Sequence, residues 1–111
     1  MGISISFNMD KNHSAEVLKA LEAQKEKALQ AAGAKAAEYA KELCPVDTGR
    51  LRDSIGYTVE EDGVSIGSDV DYAAAVELGT RKRHPRPYLA PAVEANEKEL
   101  IQTIEDMLRG E

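Results

Sequence analysis

The sequence predicts one α+β domain over residues 1–111, a small and mainly antiparallel sheet carrying a long first helix and a C-terminal helix. Three observations predict it. Ile3, Ile5 and Phe7 alternate with small or polar residues; a proline-free run rich in Ala, Glu, Lys and Leu fills positions 15–43; and two alternating segments flank Glu61-Asp62-Gly63. Period-two alternation marks a half-buried strand, and steps of three or four mark one face of a helix.

In chain order, Gly2 to Phe7 reads as a short strand, followed by a polar connection at Asn8 to Asn12. Ser14 can cap a helix start through its hydroxyl, and Glu16 then sits in the first turn, where negative charge is favoured. Leu18, Leu21, Ala28, Ala32, Ala36, Tyr39 and Leu43 form the expected apolar stripe. As one helix, the 29 residues would reach about 43 Å and overhang a domain of this size. Gly33 marks either close helix packing or a bend. Pro45 ends the run, and Asp47-Thr48-Gly49 supplies turn chemistry ahead of Arg50 and Arg52.

Ile55, Tyr57 and Val59 alternate, as do Val64 and Ile66, so the segment reads as a β-hairpin. Asp69 to Asp71 interrupts it. Tyr72 to Leu78 can form a short helix with Tyr72, Ala75 and Val76 inward and Gly79 at its end. Thr80 to Pro91 then combines four fixed positive charges with three prolines, a composition that fits neither a regular helix nor a buried strand. Pro91 suits the first turn of a last helix with Val93, Leu100, Ile101, Ile104 and Leu108 on its apolar side.

Composition narrows the function. The net charge of -6 argues against a general binder of nucleic acid or anionic membrane. No apolar run approaches the roughly 20 residues of a membrane span, and no leader pattern opens the chain, so cytoplasmic synthesis is expected. With 5% aromatic residues, one Phe and no Trp, the core must be aliphatic, and self-association is a natural way to bury more of it. The single cysteine, Cys44, reads as a buried structural thiol.

Catalytic patterns are not met. His13 and His84 belong to no ligand motif, and Ser54 and Ser68 stand outside any nucleophile-elbow pattern. Asp69 and Asp71 could recruit a cation, with His84 as a third group, but ionised loop carboxylates are the plainer reading; neither metal nor cofactor is expected. The strongest surface feature is the cationic set Arg81, Lys82, Arg83 and Arg86. It fits phosphates, and a DNA-binding accessory role is the alternative reading. It equally fits acidic side chains of a neighbour. Residues 94–111 hold six acidic and two basic side chains, 2 − 6 = −4, so opposite ends of two copies are complementary.

Three ordered blocks, Cys44 to Ile55 (CPVDTGRLRDSI), Tyr72 to Thr80 (YAAAVELGT) and Arg86 to Ala92 (RPYLAPA), resemble the HK97 gp10-like family of tailed-bacteriophage proteins. The likeness runs from about Ala31 to Leu108, with Tyr88 at the aromatic position of the third block. It implies a virion-assembly protein without enzymatic activity, a minor tail or tail-completion component at the head-tail junction, made in the host cytoplasm and built into the particle. Related components form rings, often hexameric. The implied partners are further copies of the chain and adjacent tail or connector proteins, with Arg50, Arg52, Arg81, Lys82, Arg83, Arg86 and Tyr88 as candidate contacts. Tyr72 and Val76 would anchor the short helix to the sheet, and Glu77 would pair with Arg81 one turn on.

Overall fold

The proline-free run folds as a helix, α1 (Glu22–Leu43), in the computed structural model of the chain, which describes residues 3–8, 22–45, 49–60 and 63–108. The expected start at Ser14 and Glu16 lies outside the described residues, as do Leu18 and Leu21. Ala28, Ala32, Ala36 and Ala40 are fully buried in steps of four, and Cys44 continues the row just past the helix end. Leu43 departs from the expected stripe. It is the last residue of the helix and 48% exposed, and Leu29 and Ala40 take the burial instead.

The sheet holds β1 (Ile3–Asn8), β2 (Gly56–Val59) and β3 (Gly63–Ser68) in the order β1-β3-β2, each pairing antiparallel. Ile5 and Tyr57 both lie opposite Ile66, and Phe7 and Val59 both lie opposite Val64. Alternation puts Ile5, Tyr57, Val59, Val64 and Ile66 on one face, the one α1 covers, and Val64 and Ile66 are fully buried beneath it. Of the turn between β2 and β3, Glu61 and Asp62 lie outside the described residues; Glu60 N–H donates to the Gly63 carbonyl at 2.8 Å. The opposite face bears Ser4, Gly56, Thr58, Ser65 and Gly67 around a shallow depression of about 350 Å³.

Gly33 is a packing residue and α1 runs through it unbroken. A Cβ there would stand 2.7 Å from Val64 Cγ2 and 2.8 Å from Tyr57 Cδ2, too close for either. With its row of alanines, α1 therefore lies unusually near the sheet.

Two short helices follow the turns. The segment after Gly49, expected only as a turn exit, forms α2 (Arg50–Ser54), and α3 covers Ala73–Leu78. The C-terminal helical run is two helices, α4 (Leu89–Glu94) and α5 (Glu97–Leu108). Asn96 separates them: its side-chain amide donates to the Ala92 carbonyl at 3.0 Å, and its own carbonyl accepts from Leu100 N–H at 2.9 Å to start α5. Pro91 sits in the first turn of α4, where a missing N–H costs nothing.

Helix α5 packs antiparallel along α1, burying Leu100 and Ile104. Lys35 Nζ meets Glu99 Oε1 at 3.3 Å and Thr103 Oγ1 at 3.3 Å, while the Tyr39 hydroxyl donates to Glu99 Oε2 at 2.6 Å. The shared carboxylate lowers its own pKa through these bonds, led by the one from Tyr39, and the same bond raises the Tyr39 hydroxyl.

Candidate functional site

The basic strip follows α3, and α3 does not present the face expected of it. Ala73 and Glu77 are the buried pair, four residues apart, whereas Tyr72 and Ala75 are exposed and Val76 is half-buried. The expected pairing of Glu77 with Arg81 is replaced by a different task. Glu77 Oε1 accepts the backbone N–H groups of Tyr88 at 2.9 Å and Leu89 at 2.8 Å, and Oε2 accepts that of Ala90 at 3.2 Å. These are unpaired donors at the start of α4, and Tyr88 supplies no side-chain cap of its own. One carboxylate from α3 thus caps α4 from across the loop.

The loop between is held at further points. Gly79 has φ 78° and ψ 173°, a backbone region that favours glycine, and a Cβ there would lie 2.7 Å from Pro85 N. Thr80 N–H donates to the Arg83 carbonyl at 3.0 Å, and Thr80 Oγ1 accepts from Lys82 N–H at 3.3 Å and Arg83 N–H at 3.2 Å. Arg86 N–H donates to the Val76 carbonyl at 2.8 Å. The strip is therefore a tied loop with its backbone turned inward. Residues 81–87 are all exposed, and among the described residues Arg81, Lys82, Arg83 and Arg86 form no salt bridge.

Tyr88 does not share that surface. It is fully buried, its hydroxyl donating to the Ala73 carbonyl at 3.2 Å, and burial pushes that hydroxyl well above its ordinary pKa. Placed among partner contacts by its motif position, it is a core residue instead, locking α4 to α3.

Arg50 lies 5.6 Å from the centre of the Tyr72 ring, a cation–π contact, and half-buried Arg52 pairs with Asp53 through Nε–Oδ1 at 3.3 Å. Both Arg52 and Arg86 act electrostatically on Cys44, so these two side chains lie near the C-terminal end of α1. Desolvation outweighs them and raises the thiol, so Cys44 is the inert buried residue expected of it.

The serines considered as nucleophiles are structural. Ser54 Oγ donates to the Leu51 carbonyl at 2.6 Å, so in its bond with Ser68 the proton comes from Ser68, whose oxygen also accepts from Val70 N–H at 3.1 Å. Among the described residues, Asp69, Asp71 and His84 included, no three His, Cys, Asp or Glu side chains converge on a metal position.

The first two motif blocks thus build what bears the cations. Residues 7–79, about two-thirds of the chain, match the profile of the HK97-gp10-like family, described as "Bacteriophage HK97-gp10, putative tail-component". The chain belongs to that family. The match takes in the Cys44–Ile55 and Tyr72–Gly79 stretches and ends just before the cationic loop. No curated protein and no solved structure matches the chain. As a member of this non-catalytic structural family, the protein is a phage tail-related structural component. None of its described helices is long and apolar enough to cross a membrane.

Glu77 is the residue whose role the sequence concealed. Its one signal was position: a lone carboxylate four residues from Ala73, on the side of α3 that turned out to be buried.

Proposed function

We propose that this HK97 gp10-like protein assembles as a ring at the head-tail junction, completing or terminating the tail, and acts by geometry without a chemical step. The observation that carries the reading is the tied loop. Four cations that form no salt bridge among the described residues are exposed on a chain of net charge -6, at a place where a neighbouring subunit can meet them. Arg52, which like Arg86 lies near Cys44, and Arg50, over the Tyr72 ring, extend the contact to adjacent tail or connector proteins.

Phosphates would satisfy the same four side chains. The acidity of the rest of the chain opposes a long polyanion, which would have to pass other negative surface to reach the loop. A fluorescent duplex titrated at two salt concentrations, with and without charge removal at the loop, tests the DNA reading. Tight, salt-sensitive binding that disappears in the variant would favour DNA over a protein partner.

The assembly role is tested by imaging particles produced with and without the protein. Unattached heads and tails, or tails of aberrant length, are expected in its absence. Normal particles would contradict the proposal.

A further inference from the structure

The three-stranded sheet ends in two open edges, because β1 and β2 each pair with β3 alone. Which backbone groups face outward follows from one bond. Glu60 N–H donates to the Gly63 carbonyl, so these two residues are a hydrogen-bonded pair that closes the hairpin. Antiparallel strands alternate such pairs with non-bonded ones. In the β2–β3 register, Thr58 and Gly56 therefore bond β3, and the N–H and C=O groups of Tyr57 and Val59 point away from it. On β3, Val64, Ile66 and Ser68 are left to face β1, where they pair with Phe7, Ile5 and Ile3. The backbone groups of Ser4, Ser6 and Asn8 then form the other outer edge.

Nothing in the sequence guards either edge. Residues 3–8 and 56–59 contain no charge and no proline, the usual means by which a protein keeps an open strand from pairing. Gly56, Tyr57 and Thr58 are exposed and Val59 is half-buried. Among the described residues no further strand and no further backbone bond covers either edge. Tyr57 is 42% exposed although its ring lies against Gly33 of α1.

The two edges are complementary. Both β1 and β2 run antiparallel to β3, so they are parallel to one another and lie on opposite sides of the sheet. A second copy, set beside the first with its α1 on the same side, brings its β1 alongside β2 in parallel.

We infer that β2 of one copy pairs in parallel with β1 of the next, Tyr57 standing opposite Ile5. In a parallel ladder an outward residue bonds the two residues that flank the one opposite it. Tyr57 N–H then donates to the Ser4 carbonyl of the second copy, and Tyr57 C=O accepts from its Ser6 N–H. Val59 likewise donates to the Ser6 carbonyl and accepts from Asn8 N–H. All four outward groups of β2 are satisfied. The same register sets Tyr57 beside Ile5 on the α1 side and Gly56 beside Ser4 on the other, so neither face is inverted. The contact joins unlike edges, so repetition runs in one direction and makes a ring when the rotation per copy closes. This inference rests on the ring reading above and names its seam.

Proline removes an outward N–H without touching the bonds to β3. Val59→Pro disables the β2 edge and Ser6→Pro the β1 edge; sedimentation follows association, and circular dichroism with Tm checks the fold. The wild type is expected to associate, and each variant alone to require at least about tenfold higher concentration. An equimolar mixture is expected to form pairs and nothing larger, because one intact β2 edge meets one intact β1 edge and both remaining edges are disabled. Hydrogen exchange on the wild type needs no substitution. The amides of Tyr57, Val59, Ser6 and Asn8 should gain protection as concentration rises. A wild type that stays monomeric, or an assembled one whose four amides exchange freely, would overturn the seam. So would Ser6→Pro associating as strongly as wild type, the result of two β2 edges pairing with each other. None of these results alters the particle phenotype, which tests the ring reading separately.

Discussion

Glu77 carries more of the site than any cation does. Its carboxylate takes three backbone N–H groups at the start of α4 while only 4% exposed, so its removal leaves buried donors unpaired. Glu77→Ala is expected to cost about 3–5 kcal/mol, and Glu77→Gln, which keeps one acceptor oxygen, about 1–3 kcal/mol, both read from urea unfolding. A smaller loss would mean that α4 is capped by other groups. Tyr39 and Glu99 supply a test by pH. The Glu99 pKa is lowered in the fold, so the stabilisation from its hydrogen bonds is present above the ordinary carboxylate range and fades as pH falls through the folded value. Tyr39 is raised, so its share is present below the ordinary phenol range and is lost as pH rises through its own folded value. The difference in Tm between wild type and Tyr39→Phe should be flat near neutrality and shrink at both extremes. A difference independent of pH would assign the effect to packing alone.

At the scale of elements, periodicity made the sheet and α1 legible, because alternation and four-residue steps are local facts. The inward face of α3 was not legible. Of its apolar-looking choices Val76 packs half-buried against the core, but Tyr72 and Ala75 are exposed, and the buried place goes to a carboxylate whose three backbone partners lie eleven to thirteen residues away. Tyr88 misled for the same reason: motif position put it beside the arginines, whereas the Ala73 carbonyl and the core hold it inside. Gly33 left two readings open, and the decision lay in Val64 and Tyr57 on the strands beneath. Gly33→Ala tests that decision. Helix propensity alone would make it stabilising by about 1 kcal/mol, but overpacking against fully buried Val64 costs about 1–3 kcal/mol. Net destabilisation on the order of 1 kcal/mol is expected in chemical denaturation, and a gain would show that α1 can lift from the sheet.

At the scale of the whole molecule, a tied and exposed cationic loop stands on a chain of net charge -6. Self-association governed by such surfaces should weaken with salt, since exposed charges are screened beyond about 10 Å at 0.1 M ionic strength. The claim that the loop is the working part of the protein is tested most directly by complementation. Phage deprived of this protein would be supplied with wild type or with R81E/R83E, first shown to be folded and equally abundant, and joined particles counted by electron microscopy. The wild type should restore joined, normal tails, and the loop variant should leave heads and tails unjoined or tails of wrong length. Joined particles at the wild-type frequency from the variant would contradict it.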